Sequence, residues 1–447
     1  MHITATIKSC TPPFLKKYID QIEASPIGLR LARGAFWSFA GAVISRGLML
    51  LSSIIIARIL GKAIFGELGI IQSTIGMFGV FAGFGLGMTS TKYVAEFREK
   101  DPAKAGRIIA LAEIITLITG FIMMALLFIF APLLAAKTLA APQLAGLLRI
   151  GSILLFLNAI NSVQTGSLAG FESFRTIANI NFLVGLASFP LLLIGVYFGK
   201  LSGVVWGMIG TMGFSYILNY LAIKKETDKY KIKIDYPKAL QEKNILYNFS
   251  IPACLSGIMV LPVTWICNTM LVNTSNGYAE MGIFNAANQW YIALLFIPGI
   301  FSQPLLPILS ERIGQRDKQN AKKLLNYLIR INGYIAIPIV IIGSLLSPYI
   351  ARLYGPSFAG AWLTIIVVLF TAGLLAIQIP VGQVISASGK MWLGLLMNTG
   401  WGIIFIIFTL ILINKGALGL SISRGIAYSF HAIWTLGFAY YYINKKI

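Results

Sequence analysis

Three consecutive stretches near the start of the chain indicate how the whole chain folds: GAFWSFAGAVISRGLMLLSSIIIA (34–57), RILGKAIFGE (58–67) and LGIIQSTIGMFGVFAGFGLGM (68–88). The first and third stretches are apolar, and each is long enough for a membrane-spanning helix, which needs about 20 residues. The middle stretch is short, carries most of the charges and contains glycines, so it predicts a tight turn. Together they predict a helical hairpin that crosses a membrane twice.

The composition extends this interpretation to the whole chain of 447 residues, of which 57% are hydrophobic and only 11% are charged. Soluble domains usually contain about 25% charged residues. We therefore predict an all-α integral membrane protein. The net charge of +21 could suggest a nucleic-acid partner. However, most lysines and arginines lie in alternate loops between apolar runs, as the positive-inside rule describes, so we expect no nucleic acid.

The alternation of apolar runs and charged loops predicts about twelve transmembrane helices. We divide the chain into an amphipathic N-terminal segment (1–33), a six-helix lobe (34–222), a charged cytoplasmic linker (223–243) and a second six-helix lobe (244–443). Because the basic loops lie on the side of both termini, we expect both termini to be cytoplasmic. The protein is thus predicted to be a multi-pass protein of the inner (cytoplasmic) membrane.

A short internal repeat supports this division into two halves. The segments FGELGIIQ (65–72) and YAEMGIFN (278–285) open the second and eighth apolar runs and share Glu, Gly and Ile at matching positions. Both segments enter the membrane from the same predicted side. The halves are therefore predicted to be parallel repeats, related by an axis along the membrane normal.

Arg46 is the clearest candidate for a functional residue, because it lies near the middle of a predicted spanning helix. An arginine there costs at least about 2.5 kcal/mol on insertion scales. Ser38, Ser45 and Ser52 recur every seven residues and form a polar stripe beside it. One hypothesis places Arg46 and Ser45 in the wall of a water-filled cavity, where the cation binds an anionic substrate. The alternative is a packed helix contact in which Arg46 pairs with a carboxylate.

Other charged residues also lie within apolar runs. Arg149 and Arg424 lie one to two turns inside the ends of their helices. Each could contribute to a substrate cavity, or could extend to the membrane surface as long basic side chains do. Glu113 could couple transport to an ion gradient by changing its protonation, if it is removed from water. A salt bridge with Arg107 or with a neighbouring helix is an equal alternative.

The seventh and eighth apolar runs are rich in uncharged polar residues and proline. Asn285, Asn288 and Gln289 share one face of the predicted helix, at positions i, i+3 and i+4. Amide groups suit sugar hydroxyls, although polar residues also commonly hold membrane helices together. The complete set of predicted cavity residues is Arg46, Ser45, Gln72, Asn268, Asn285, Asn288, Gln289, Arg149 and Arg424, with Glu113 for coupling.

The sequence contains no recognisable catalytic constellation. His2 and His431 are the only histidines, there is no G-x-x-x-x-G-K-[ST] motif, and the cysteines lack metal-binding spacing. We therefore expect a transporter that is not an enzyme, with no cofactor and no metal site.

The order and spacing of several motifs give the chain a resemblance to a known family. Ala57-Arg58-Ile59-Leu60-Gly61, Phe65-Gly66, the exit with Lys92 and Glu96, and Asn288-Gln289-Trp290 resemble the polysaccharide biosynthesis membrane proteins. These are Wzx-type oligosaccharide flippases, in the superfamily that also holds the MATE exporters and the lipid II flippases.

The resemblance implies two six-helix lobes around a central cavity with basic residues. The implied substrate is a lipid-linked oligosaccharide, typically on undecaprenyl diphosphate, in pathways such as those of O-antigen and lipopolysaccharide. Its sugar head would cross through the cavity while the lipid tail stays in the bilayer, with energy from an ion gradient. Membrane lipids are implied partners, and a glycan polymerase with its chain-length machinery is a further candidate.

Two other functions stay open at this point. A MATE-like exporter of small cations is the first, but cationic substrates usually need carboxylates, and the apolar runs contain few. A membrane glycan polymerase or ligase is the second, but such enzymes are expected to have a large outer loop, which the hydropathy pattern lacks.

Overall fold

The computed structural model describes residues 26–246, 250, 258–302, 318–387 and 391–445. Most of the predicted amphipathic segment (1–33) lies outside these ranges, and residues 26–33 form the start of a helix.

Within the described ranges the chain is almost entirely helical. The α-helices are α1 (Pro26–Gly83), α2 (Leu86–Phe97), α3 (Pro102–Leu133), α4 (Ala145–Gly170), α5 (Phe174–Lys229), α6 (Val260–Val272), α7 (Gly277–Ser302), α8 (Lys318–Leu345), α9 (Ser347–Leu353), α10 (Trp362–Ala387), α11 (Met391–Leu412) and α12 (Gly416–Lys445). Short 3₁₀ or π-helical turns occupy Leu134–Thr138, Pro142–Leu144, Ala239–Glu242, Pro356–Ala361 and Ile413–Lys415. Seven segments of the described chain are long and apolar enough to span a membrane, which confirms a helical membrane protein.

Several of these segments are too long for a single crossing, because a helix rises 1.5 Å per residue and the hydrocarbon core is about 30 Å thick. The longest are Gly41–Gly83, Phe174–Lys229 and Trp392–Tyr442, with 43, 56 and 51 residues. Each is interrupted by left-handed backbone: at Gly61 (φ 73°) in α1, at Lys200 (φ 47°) in α5, and at Gly416 (φ 62°) between α11 and α12. Gly61 lies inside the turn predicted at 58–67, where glycine adopts a positive φ at little cost. We call the end of the molecule at this turn the Gly61 end.

The two stretches of the predicted repeat pack directly against each other, one in α1 and the other in α7. A Cβ atom on Gly66 would lie 1.8 Å from the carbonyl oxygen of Tyr278, and one on Gly282 would lie 1.9 Å from that of Lys62. Glycine alone permits so close an approach of two backbones. The repeat therefore marks a contact between the two halves near the Gly61 end.

Further polar contacts join the two halves at the same end. The Arg58 guanidinium, at the end of the first part of α1, donates hydrogen bonds to the last carbonyl groups of α9, including that of Leu353. The Asn273 amide donates to the carbonyl oxygen of Thr138 at 2.8 Å. The Gly61 end is therefore closed by contacts between backbone and side chains of both halves.

The predicted linker (223–243) is attached to the N-terminal half rather than lying free. Helix α5 continues to Lys229, seven residues beyond the end of the sixth apolar run at residue 222. The remainder packs on α3, where Arg107 forms an ion pair with Glu242 at 2.9 Å. A Cβ atom on Gly106 would lie 2.0 Å from the carbonyl oxygen of Lys233, which shows how closely the linker approaches α3.

Candidate substrate cavity

A cavity of about 150 Å³ lies between the two halves, where α1, α5 and α7 meet. We call it the central cavity. Helix α1 contributes Ser52, Ser53 and Gln72 to its wall, and α7 contributes Asn285 and Gln289. The rest of the lining is largely apolar, so the cavity wall contains only a few uncharged hydrogen-bonding groups.

Three of the predicted cavity residues meet in this space: Gln72, Asn285 and Gln289. The Nδ2 atom of Asn285 lies 3.5 Å from the carbonyl oxygen of Phe65, so its amide also contacts the opposite half. The Nε2 atom of Gln72 lies 3.6 Å from the sulfur of Met208. Amide donors and acceptors from both halves thus converge on one space.

Arg46 is exposed on α1 and points toward the opposite half of the molecule. Its guanidinium carbon lies 5.3 Å from the ring centroid of Phe296 in α7. Met49 and Ser53, which line the central cavity, follow Arg46 at i+3 and i+7 on the same helix face. Among the described side chains no carboxylate forms an ion pair with Arg46. Within the described part of the chain, no acidic side chain therefore neutralises its charge.

Ser45 and Asn268 lie in helix–helix contacts and do not belong to the described lining of the central cavity. The Ser45 hydroxyl donates to the carbonyl oxygen of Asn181 in α5 at 3.1 Å. The Nδ2 atom of Asn268, in α6, donates to the Ser73 hydroxyl in α1 at 2.9 Å. For both residues the packing alternative describes the structure.

Arg424 is buried inside the C-terminal half, with 5% of its surface exposed, so the expectation that it reaches the membrane surface is wrong. Its Nη1 atom donates to the Oδ1 atom of Asn288 at 2.9 Å, and its guanidinium lies 4.4 Å from the ring centroid of Tyr291. The Nε and Nη2 atoms are buried without a hydrogen-bond partner in the described chain. Successive helical residues point about 100° apart, so Asn288 faces α12 while Gln289 faces the cavity. Neither Arg424 nor Asn288 lines the central cavity.

Arg149 is exposed at the contact of α4 with α3, outside the cavity wall. Its Nε atom lies 3.4 Å from the carbonyl oxygen of Phe128, and its guanidinium lies 5.3 Å from the centroid of that ring. The structure thus places Arg149 apart from the central cavity, and the alternative of an arginine extended along the protein surface fits this position.

Glu113 faces the linker and not the cavity. The Tyr236 hydroxyl donates a hydrogen bond of 2.7 Å to its Oε2 atom. Arg107, the partner considered for Glu113, is paired with Glu242 instead. Burial, together with the hydrogen bond and charge of Glu113, raises the pKa of Tyr236 above its ordinary value. The phenol therefore stays protonated and remains a donor at neutral pH.

A second cavity, which the sequence did not predict, adjoins the central one and shares Gln72 and Met208 with it. Its volume is about 320 Å³, and Gly76, Gly79 and Gly83 of α1 form one wall. We call it the glycine-lined cavity. The spacing of these glycines on one helix face was its only signal in the sequence, and such spacing usually marks close helix packing.

Sequence comparisons connect the chain with proteins of polysaccharide export. A family model described as "Polysaccharide biosynthesis protein" matches residues 31–312. The chain is 24% identical over 414 residues to the "EPS I polysaccharide export inner membrane protein EpsE" of Ralstonia nicotianae, with 91% of each chain covered. It is 28% identical over 306 residues to the "Lipid III flippase" of Escherichia coli, with 65% of this chain and 69% of the relative covered.

Solved structures with the same fold include an inward-facing multidrug transporter of the MATE family, with a TM-score of 0.70, 16% identity, and coverage of 89% of this chain and 94% of the other. The "Lipid II flippase MurJ" in an inward closed conformation has a TM-score of 0.69 and 15% identity, with 90% and 87% covered. At such identities the likeness concerns the fold alone. The resemblance found in the sequence motifs is confirmed by these comparisons.

Proposed function

The chain belongs to the polysaccharide biosynthesis protein family, and on this premise we propose that it is a flippase for a lipid-linked oligosaccharide on undecaprenyl diphosphate. The repeat unit would be turned across the cytoplasmic membrane by alternating access of the two halves. Relatives named for polysaccharide export and for lipid flipping support this proposal.

The observation that carries the proposal is the position of Arg46 beside a cavity of neutral amides. A guanidinium binds the paired oxygens of a diphosphate through two parallel hydrogen bonds, which the ammonium of lysine cannot do. The amides of Gln72, Asn285 and Gln289 offer both donors and acceptors to sugar hydroxyls. Charge and neutral polarity are thus supplied in the combination that a sugar diphosphate needs.

Twelve crossings in two parallel six-helix halves, with both termini cytoplasmic, form part of the proposal. The interrupted long helices and the charge of the loops support it. On this topology the Gly61 end faces away from the cytoplasm, and its contacts must separate when the cavity opens outward. Reporter fusions at Lys233 and Asn276 are expected to report opposite sides of the membrane, and the same side for both would contradict the topology.

Coupling to an ion gradient through Glu113 is a further element of the proposal. The carboxylate accepts a hydrogen bond from Tyr236 of the linker. Protonation of Glu113 would weaken that charge-assisted bond and so loosen the linker from α3. A proton gradient could then bias the relative position of the two halves.

Export of a small cation is the competing function, because MATE transporters share the fold. No carboxylate belongs to the described lining of either cavity. The absence of negative charge there favours an anionic substrate.

The proposal is tested with purified chain in liposomes that contain undecaprenyl diphosphate-linked N-acetylglucosamine. A galactosyltransferase that cannot cross the membrane then labels only outward-facing sugar. Arg46→Ala is expected to slow the exposure of internal sugar at least tenfold, since hydrogen bonds to charged groups contribute about 1.5–3 kcal/mol. Arg46→Lys should recover part of the flipping rate, because lysine keeps the positive charge but lacks the two parallel N–H donors of the guanidinium.

Arg149→Ala is the matched control, because it removes an arginine with the same kind of ring contact outside the cavity. Transport by Arg46→Ala at the wild-type rate, with equal protein in the liposomes, would show that Arg46 does not bind substrate. Failure of the wild-type chain to flip this lipid would contradict the proposed function itself.

A further inference from the structure

The glycine-lined cavity is open space beside a helix face without side chains. A Cβ atom added to Gly76, Gly79 or Gly83 would meet no other atom within 4 Å. Glycines used for close helix packing behave differently, as at Gly66, where an added Cβ would overlap the opposite backbone. These three glycines therefore leave room in a cavity instead of joining two helices.

The opposite wall presents polar side chains that have no hydrogen-bond partner among the described residues. Asn158 and Ser162 line the cavity or its rim from α4, one turn apart, and both are exposed. Neither side chain makes a hydrogen bond among the described residues. Two buried polar residues of the same helix do have partners, since Asn161 donates to the Met212 carbonyl oxygen at 3.1 Å and Ser167 to that of Val163 at 3.0 Å. A polar side chain without a hydrogen-bond partner is costly when it faces lipid. Asn158 and Ser162 are therefore better suited to a hydrated cavity, where a ligand can bind to them.

We propose that the glycine-lined cavity is the subsite for a neutral sugar residue of the transported lipid. This inference rests on the proposed function and assigns the sugar to a place distinct from Arg46. Its volume of about 320 Å³ lies at the lower end of the usual range for small-molecule pockets, about 300–1,000 Å³. The amide of Asn158 and the hydroxyl of Ser162 match sugar hydroxyls, while the bare glycine wall accepts the apolar face of a ring.

The glycine-lined cavity lacks charged side chains in its described lining, so it suits the neutral sugar better than the diphosphate. No arginine, lysine or carboxylate belongs to its described lining. The shared residue Gln72 connects it to the central cavity. A substrate could therefore place its sugar against the glycines while its diphosphate stays near Arg46.

The test compares two probes, undecaprenyl diphosphate and undecaprenyl diphosphate-linked N-acetylglucosamine, for binding to the purified full chain in lipid nanodiscs. The wild-type chain is expected to bind the sugar-bearing lipid more tightly than the bare diphosphate. Gly79→Leu should fill the cavity and lower affinity for the sugar-bearing lipid about tenfold, with affinity for the bare diphosphate unchanged. Leucine also favours helix more than glycine does, so α1 should not be weakened.

Gly213→Leu is the matched control, because an added Cβ there also meets no atom within 4 Å and Gly213 lines neither cavity. It is expected to leave both affinities unchanged. Asn158→Ala gives a second, smaller perturbation at an exposed position, and it should also lower only the affinity for the sugar-bearing lipid. This variant decides the question if Gly79→Leu does not fold.

The outcomes separate the subsite from the function. Equal binding of both probes by the wild-type chain would overturn the subsite, as would unchanged affinity of the cavity variants. An equal loss for both probes would place the diphosphate or the lipid chain in this cavity and would also overturn it. Binding of neither probe by the wild-type chain would instead contradict the proposed function.

Discussion

Substitution of Gly66 by alanine should shift the protein toward a conformation that is open at the Gly61 end. The new Cβ atom would lie 1.8 Å from the Tyr278 carbonyl oxygen, whereas real contacts of this kind begin near 3.0 Å. The two backbones must therefore separate by at least 1.2 Å. Overpacking of this kind costs about 1–3 kcal/mol, and the penalty applies only while the halves are in contact. The ratio of closed to open molecules should then fall about 5- to 150-fold.

The intrinsic preference of alanine for helix does not obscure this effect. It stabilises α1 by about 1 kcal/mol relative to glycine, but it does so in both conformations. The measurement uses spin labels on cysteines introduced at Lys137 and Ser275, which are exposed on the two halves at the Gly61 end. The native cysteines are replaced by alanine. Electron–electron distance measurements in nanodiscs should show a larger population of long distances in Gly66→Ala than in the parent.

Gly213→Ala supplies the control, since it gains the same helix preference without a neighbouring atom within 4 Å. Its distance distribution should match that of the parent. If Gly66→Ala also matches the parent while remaining folded, the close backbone contact does not hold the Gly61 end closed, and the reasoning from packing is refuted.

Three other contacts are tested by further substitutions. Arg58→Met removes hydrogen bonds to the end of α9 and should raise the open population in the same spin-label experiment. The increase should be smaller than for Gly66→Ala, because the contact is exposed. An unchanged distance distribution would exclude a role of Arg58 in closure. Glu113→Gln should keep substrate binding but remove the dependence of flipping on a proton gradient, and Tyr236→Phe should weaken that dependence; unchanged pH dependence in both would leave the pair a structural role only. Asn288→Ala should lower thermal stability more than Arg424→Met. The first variant leaves the buried guanidinium of Arg424 without its hydrogen-bond acceptor, whereas the second removes the buried charge itself. The reverse order of melting temperatures would contradict this account.

The sequence was sufficient to predict a helical membrane protein because membrane solvation imposes a simple rule. A spanning helix must be apolar over about 20 residues, so runs and loops can be read directly. The turn at 58–67 was predicted because glycine and charge coincide there, and the structure has its helix break at Gly61. The end of α5 could not be located from the apolar run, because charged residues can continue a helix beyond the membrane, as they do to Lys229.

The candidate site was less predictable, because a polar residue in a membrane helix can serve a cavity or a neighbouring helix. Asn288 and Gln289 are adjacent in sequence, yet one faces Arg424 and the other faces the central cavity. The sequence pattern assigns both residues to the same face of the helix. It cannot show that their side chains, which point about 100° apart, contact different neighbours. Ser45 shows the same limit, since the stripe it belongs to faces α5 at that level.

The charges of the C-terminal half give an independent argument about the substrate. From Met281 to Ser310 and from Lys318 to Ile447 the sequence contains no aspartate or glutamate, so Arg424 has no acid close to it along these segments. The Arg424 guanidinium contacts Asn288 and aromatic rings. These groups are neutral, so they do not cancel its positive charge. Arg46 adds a second positive charge from the other half, and no carboxylate belongs to the described lining of either cavity. Because fields extend further in a medium of low dielectric constant, we expect both arginines to raise the potential of the central cavity. A cationic substrate would be repelled there, whereas a diphosphate would be attracted, and this asymmetry does not depend on which sugar the lipid carries.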